Sequence, residues 1–158
     1  MKLTILAVAH RQADWIRAGC AEYVKRMPRE LPTEILELKP DPRNTGRTAE
    51  QIMRAEGDRL QAALTQLRTP RTIALDEKGS DLSTRAFARW LETWTQEGRD
   101  AAFLIGGADG LTPELKAAAD ARLRLSSFTL PHGLARLLLC EQLYRAASLL
   151  KNHPYHRE

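Results

Sequence analysis

The sequence predicts an α/β fold, a parallel-rich sheet between helices, formed by a single domain that spans residues 1–158. Short apolar runs alternate along the chain with longer stretches in which apolar residues recur at helical spacing, and this alternation is typical of parallel α/β domains. The runs are too apolar to leave one face in water, as expected of strands that are buried on both sides. No repeat or long linker divides the chain, and 158 residues are enough for one hydrophobic core.

Five apolar runs predict the strands. The first run is short and is followed at once by polar Arg11, Gln12 and Asp14, so it is interpreted as a strand and not as a signal peptide. The third run ends at Asp76, and the Lys-Gly-Ser-Asp sequence at residues 78–81 is typical of a turn. The predicted strands are residues 3–9, 33–38, 71–76, 101–105 and 122–125.

Helix boundaries have signals of their own. Asp14 is expected to cap a first helix that ends before Pro28. After a loop rich in proline and glycine, residues 48–51 have the Thr-x-x-Gln spelling of a capping box and predict the start of a second helix. Gly98 is expected to end a third helix, and Thr112, followed by proline, begins a fourth.

The last predicted helix, residues 134–150, is apolar nearly all round. Such a helix is either buried at the centre of the domain or shared between two subunits. Glu141 and Arg145 lie four residues apart on it, and a charged pair on so apolar a helix requires partners.

Composition places the chain among globular proteins, with 43% apolar and 28% charged residues. No window has the roughly eighteen uninterrupted apolar residues of a membrane span, so we expect a cytoplasmic protein without membrane contact. The net charge of +4 and the pI near 9.3 fit a polyanionic partner such as RNA but do not require one. Cys20 and Cys140 match no zinc-ligand spacing and are interpreted as reduced, small apolar residues.

Three glycines, Gly106, Gly107 and Gly110, lie between the fourth strand and the fourth helix. Backbone amides in such a turn are open to a ligand, although a tight turn that needs positive φ explains the glycines equally well. A dinucleotide site matches poorly, because its glycines normally lie in the first strand-helix turn, and residues 10–13 contain none.

The segment between the last strand and the last helix, residues 125–132, mixes hydroxyl and apolar side chains. It is either an ordinary loop whose hydroxyl groups cap the following helix, or a pocket wall that holds a small ligand through backbone groups. Its place at the carboxyl end of a strand is where ligands of parallel sheets bind.

The C-terminal residues 152–158 concentrate histidine, tyrosine and arginine after the last helix. These side chains can stack on bases, contact phosphates and transfer protons near neutral pH, whereas most chain ends are frayed and without function. A metal site at His153 and His156 is the weaker alternative, because no third ligand has an evident spacing.

Together these segments resemble the ribosomal RNA large-subunit methyltransferase H family, of the SPOUT class, over the whole length of the chain. The most specific matches are the strand end Leu75-Asp76, the glycine turn at residues 104–111, the loop at 125–132 and the ending at 143–158. The resemblance implies a trefoil knot in the final third of the chain and a homodimer whose interface includes the last helix. Neither feature follows from periodicity or composition.

The resemblance also implies an S-adenosylmethionine site without a metal, in which the cofactor is bound in a bent conformation by backbone groups. The implied cofactor residues are Leu75, Gly106, Leu125, Ser126, Ser127, Phe128, Thr129 and Leu130.

The family's reaction is methylation of N3 of a pseudouridine in bacterial 23S ribosomal RNA. The protein has mainly to hold N3 in line with the methyl group and to help the imide proton leave. Tyr155 and His156 are the candidates for contact with the reacting base, and His132 and Arg157 for phosphate or base contacts. With no separate RNA-binding domain and a modest charge, the chain is expected to act on an assembled ribosome. A non-catalytic ribosome-associated protein of the same fold is the rival hypothesis.

Overall fold

Five parallel strands form a single sheet in the order β2-β1-β4-β3-β5, and helices cover both of its faces. The α/β fold with a parallel sheet between helices is therefore confirmed. The structure is a computed structural model that describes residues 1–156, without the side chain of His156. Its elements are β1 (Leu3–Val8), α1 (Asp14–Arg26), β2 (Thr33–Leu38), α2 (Ala49–Thr65), β3 (Arg71–Asp81), α3 (Thr84–Glu97), β4 (Ala101–Ile105), α4 (Pro113–Ala118), β5 (Ala121–Arg124), α5 (His132–Leu150) and a 3-10 helix (Pro154–His156).

The two faces of the sheet are covered by different helices. Successive side chains of a strand point to opposite faces, so Phe103 packs under α1, α3 and α5 while its neighbour Leu104 packs under α2 and α4. All residues of β1 and β4 are buried, as the apolar runs predicted. These central strands hold the two cores together.

Local signals placed several helix ends correctly. The side chain of Thr48 accepts a hydrogen bond from the Gln51 amide at 3.1 Å, and the Gln51 side chain accepts one from the Thr48 amide at 2.9 Å. Gly98 ends α3 with φ +70°. The prediction that Asp14 caps α1 is wrong, because Asp14 is the first helical residue and Ala13 occupies the cap without a side-chain hydrogen bond. The Asp14 carboxylate instead faces the positive end of the helix dipole.

Strand β3 is longer than the sequence predicted. Residues 78–81, expected as a turn, continue β3, because Leu123 of β5 pairs with both Leu75 and Ser80 and the residues between them bulge out. Gly79 makes this possible, since a Cβ there would lie 2.8 Å from backbone atoms of β5. The pairing beyond the bulge fixes where β5 ends and the next loop begins.

Helices α1 and α5 pack closely along their length. Gly19 lies against Leu137, and Gly133 lies against Ile16, so each helix contributes a glycine where the other needs room. One side of α5 is buried by α1 and α3, yet Leu134 near its start is 40% exposed. Helix α5 is thus covered on one side and open on the other. No helix in the described part of the chain is long and apolar enough to cross a membrane.

Cys20 and Cys140 meet inside this helix contact as free, buried thiols. A hydrogen bond with Cys20, together with burial, raises the pKa of Cys140, so this thiol stays protonated at neutral pH. Their interpretation as reduced, small apolar residues agrees with this packing.

We expect Gly79→Ala to lower the free energy of unfolding by about 1–3 kcal/mol, because the added methyl group must push β5 away from β3. Urea denaturation measures the change. Glu77→Ala, in the same bulge but at an exposed position, is the control and should stay within about 0.5 kcal/mol of the parent. Equal stability of Gly79→Ala and the parent would contradict the contact.

Candidate functional site

A cavity of about 1140 Å³ opens at the carboxyl edge of the sheet. The ends of β1, β3, β4 and β5 form its floor, and the loops after β2 and β5 form its walls. The cavity is large enough for a nucleoside-sized ligand. It is lined by every residue that the family resemblance implied for the cofactor: Leu75, Gly106, Leu125, Ser126, Ser127, Phe128, Thr129 and Leu130.

The glycine turn at the end of β4 serves as both a tight turn and a cavity wall. Gly110 has φ +83°, and its amide donates to the Gly107 carbonyl at 3.0 Å. A Cβ on Gly106 would lie 2.5 Å from the Gly110 carbonyl carbon, so the turn closes on itself and leaves no room for a side chain. The two interpretations of these glycines are therefore compatible.

The loop after β5 is held by its own polar groups. The Arg124 guanidinium donates to the Ser126 carbonyl at 3.2 Å and to the Ser127 hydroxyl, and the Ser126 hydroxyl accepts from the Phe128 amide at 2.9 Å. None of these hydroxyls caps α5, whose N-cap Pro131 lacks a side-chain hydrogen bond. The capping interpretation of this loop is wrong. The loop presents Phe128 at the cavity with 84% of the residue exposed.

His132 opens α5 and joins the cavity wall to a buried charge. Arg136 is 2% exposed, donates to the Glu37 carboxylate at 2.7 Å and places its other amino group 3.1 Å from His132 Nε2. Burial first, and then the Arg136 charge, lower the pKa of His132, while the Gly106 backbone acts in the opposite direction. With Arg136 as the donor, Nε2 of the neutral ring is the acceptor, and the contact links His132 at the cavity wall to the buried Arg136.

The loop after β2 is tied down at two points. Asp41 is buried, and its carboxylate accepts from Arg47 and, at 2.9 Å, from Arg59. The hydrogen bond from Arg47 lowers the pKa of Asp41, Arg59 adds to this effect and desolvation opposes it. Farther along the loop, Arg43 pairs at 2.7 Å with Asp109 of the glycine turn. The loop is thus fixed at its base and attached to the turn at its tip.

Strand β3 adds a buried carboxylate beside the cofactor candidate Leu75. Asp76 lines the cavity, and its carboxylate accepts from the Lys78 amide at 3.2 Å and from Lys116 Nζ at 3.4 Å. The negative charge of Asp76 is therefore balanced within the domain.

The C-terminal segment folds back on the far end of α5. The Tyr155 hydroxyl lies 3.2 Å from both the Tyr23 hydroxyl and the Glu141 carboxylate, and Glu141 accepts from Arg145 Nε at 2.8 Å. The charged pair predicted to need partners thus has one in Tyr155. Burial, the hydrogen bond with Tyr23 and the Glu141 charge raise the pKa of Tyr155, so its hydroxyl stays protonated near neutral pH.

The structure does not bring Tyr155 to the cavity of the same chain. Tyr155 is absent from the cavity lining, whereas His132 is part of it. Arg157 and the side chain of His156 lie outside the described residues. The His153 imidazole accepts from the Tyr155 amide at 3.2 Å, and within the described residues no cluster of three or more His, Cys, Asp and Glu side chains could hold a metal ion.

Buried charges near the cavity were missed from the sequence, Glu56 and Arg136 among them. Glu56 is 3% exposed and Arg136 is 2% exposed. A signal for Glu56 was present, because it lies four residues after Ile52 and four before Leu60, on the apolar stripe of α2. Arg136 likewise takes a buried position on α5. A charged residue at an apolar position of the helical repeat is the pattern that would have indicated both Glu56 and Arg136.

Comparisons with known proteins agree with this architecture. A family model described as "Predicted SPOUT methyltransferase" matches residues 1–156. The ribosomal RNA large subunit methyltransferase H of Dechloromonas aromatica is 62% identical over 158 residues, covering 100% of this chain and 99% of the relative. The protein of the same name from Paraburkholderia phymatum is 57% identical over 157 residues, covering 99% of each.

Solved structures show the same fold at low sequence identity. A Bacillus anthracis protein assigned as an RNA methyltransferase has a TM-score of 0.55 at 14% identity, covering 98% of this chain and 96% of that chain. The tRNA (m1G37) methyltransferase of Aquifex aeolicus has a TM-score of 0.53 at 15% identity, covering 92% of this chain and 69% of that chain. At these identities the likeness concerns the fold alone.

We expect acid to weaken the His132 contact. Because folding lowers the pKa of His132, its stabilising contribution is complete above its unfolded-state pKa of about 6.5 and is lost as the pH falls toward the lower folded-state value. The free energy of unfolding of the parent, measured in urea between pH 7.5 and 5, should therefore fall more steeply than that of His132→Gln. Parallel pH profiles would contradict the assigned contact.

Proposed function

The chain belongs to the ribosomal RNA large subunit methyltransferase H family of SPOUT methyltransferases, and from this premise we propose that it methylates N3 of a pseudouridine in bacterial 23S ribosomal RNA with S-adenosylmethionine. The observation that carries the proposal is the cavity at the carboxyl edge of the sheet, which all eight cofactor candidates line. The names of the relatives support methyl transfer to ribosomal RNA. The methylated atom, N3, and the methyl donor, S-adenosylmethionine, are not given by these names and are part of our proposal.

The cavity residues fit the proposed cofactor. The walls combine a close-packed glycine turn with backbone groups of residues 125–130, and a buried carboxylate oxygen of Glu56 beside the turn has no donor among the residues that the structure describes. When bound, S-adenosylmethionine supplies a methyl group made electrophilic by its sulfonium. The role of the protein residues is to orient the cofactor, since Arg124 holds the loop after β5 and the contact with Arg136 holds His132 at the cavity wall.

RNA recognition is proposed to depend on the ribosome as well as on this chain. Lys39, Arg43 and Lys78 line the cavity, but Arg43 is already paired with Asp109. The few remaining cations provide limited phosphate binding. A preformed ribosomal surface would add the missing contacts, and this favours assembled particles over naked RNA as the substrate.

We propose a homodimer because Tyr155 and the cavity are apart in one chain. Tyr155 packs against Glu141 of α5 and does not line the cavity, so a role for Tyr155 at the reacting base requires the cavity of a second copy. The open side of the α1 and α5 pair offers an apolar surface, with Trp15 63% and Leu134 40% exposed. We also propose that the final third of the chain forms the trefoil knot that the family resemblance implies.

The rival function is ribosome binding without catalysis. A protein that had lost methyl transfer would have no reason to retain an open cavity with its glycine turn intact. Titration calorimetry with S-adenosylmethionine discriminates the two, because only the methyltransferase needs the cofactor site.

We expect Gly106→Ala to weaken S-adenosylmethionine binding by at least about tenfold, because the added methyl group forces the glycine turn open. Titration calorimetry measures the affinity. Gly98→Ala is the control, since it strains a positive-φ glycine at the end of α3, away from the cavity. Unchanged affinity in a folded Gly106→Ala protein would show that the cofactor binds elsewhere.

We expect Tyr155→Phe to keep cofactor affinity within about twofold while it lowers methyl transfer to ribosomes by at least about tenfold, the effect typical of a lost proton-transfer or hydrogen-bonding group. Radiolabelled methyl incorporation measures the activity. Ring packing against Tyr144, at 4.5 Å between centroids, is retained in the variant.

Coexpression of Tyr155→Phe with Gly106→Ala chains tests the dimer in the same assay. About half of the dimers would be mixed, and each mixed dimer would have one complete site out of two, so roughly a quarter of parent activity should return. No recovery in mixed dimers would place Tyr155 in the cavity of its own chain and refute the shared site.

A further inference from the structure

Glu56 has an incomplete set of partners. It lies on α2, is 3% exposed and lines the cavity. Its Oε2 accepts from the Asp41 amide at 3.1 Å, but no donor among the described residues reaches its Oε1. A buried carboxylate oxygen without a donor is destabilising, and native proteins retain such groups mainly where a ligand or a reaction uses them.

The neighbouring cations do not balance this charge. Arg47 and Arg59 both bond to Asp41, and within the part of the chain that the structure describes Glu56 forms no ion pair. No cation among the described residues thus pairs with the Glu56 carboxylate at the wall of the cavity.

The unpaired oxygen lies beside the glycine turn. A Cβ on Gly107 would be 2.5 Å from Glu56 Oε1, so only glycine allows the carboxylate to approach the turn this closely. Gly107 follows Gly106, the proposed cofactor residue, and both line the same cavity. The turn and the carboxylate therefore form one wall, with an acceptor and a negative charge at the same place.

We propose that Glu56 binds the α-ammonium group of the methyl donor. This inference rests on the proposed function, because it presumes that S-adenosylmethionine occupies the cavity. An ammonium carries a full positive charge and three N–H donors, so it supplies both the counter-charge and the hydrogen bond that Oε1 lacks. The sulfonium matches less well, because it has no proton to donate. Glu56 would then select ligands that carry the amino acid part of the cofactor.

The test is a thermodynamic cycle in which the Glu56 carboxylate and the α-amino group of the ligand are removed separately and together. The ligands are S-adenosylhomocysteine and its analogue in which hydrogen replaces the α-amino group, and the proteins are the parent and Glu56→Gln. Titration calorimetry gives four affinities, which isolate the interaction between the carboxylate and the amino group. Asp58→Asn is the matched control, since it removes an exposed carboxylate from the same helix. Thermal unfolding checks that each protein is folded.

We expect Glu56→Gln to weaken S-adenosylhomocysteine binding roughly 10- to 100-fold, as for a lost charge-assisted hydrogen bond, and to change binding of the desamino analogue less than about twofold. Asp58→Asn should change neither affinity. Equal losses for both ligands, or no loss for either, would overturn the proposal.

The parent protein provides a test that does not depend on the variant folding. It should bind the desamino analogue at least about tenfold more weakly than S-adenosylhomocysteine, and equal affinities would overturn the assignment to the amino group. A parent that binds neither S-adenosylmethionine nor S-adenosylhomocysteine would instead refute the proposed function, and the Glu56 proposal with it.

Discussion

All five strands run in the same direction, and the cavity depends on this constraint. Parallel strands end at a common edge, so loops that are far apart in sequence meet there. The segments after β1, β2, β4 and β5 contribute to the lining, together with residues 75–78 within β3. A reversed strand would carry its loop to the opposite edge and remove one wall. The buried strands β1 and β4 therefore determine the site, although most of their side chains never touch it.

Buried charges connect the loops around this edge. Arg136 joins β2 to α5, Asp41 ties the loop after β2 to α2, and Asp76 attaches β3 to α4. Each charge pair is costly to bury, and removing one partner leaves the other uncompensated. Such links keep otherwise weakly packed loops in one arrangement before any ligand arrives. Glu56 differs from the other three because its charge has no partner within the described chain.

The sequence predicted the parts of the fold that depend on local chemistry. The capping box at Thr48 and the C-cap at Gly98 are local signals, and both occur as expected. The extension of β3 past Asp76 could not be read locally, because its cause is pairing with β5, about forty residues later. Gly79 indicates backbone freedom in this segment, and the partner strand determines how that freedom is used.

For the site, the cofactor residues predicted from the sequence line one cavity, but the sequence did not reveal how all of the candidate residues are arranged. The cofactor candidates do gather in one cavity, since strand ends and glycine turns mark that edge. The destination of Tyr155 depends on tertiary packing with Tyr23, more than a hundred positions earlier, and no spacing rule contains that information. The contact between Arg136 and Glu37 bridges a separation of 99 residues in the same way.

The close packing of α1 against α5 also has a consequence for biosynthesis. The core side of α1, the first helix to be made, is covered only when α5, the last of the five α-helices, packs against it. Ribosomes add residues one at a time, so a nascent chain that still lacks α5 leaves Ile16 and Cys20 without their partners in this core. Completion of this core therefore has to wait for the synthesis of α5.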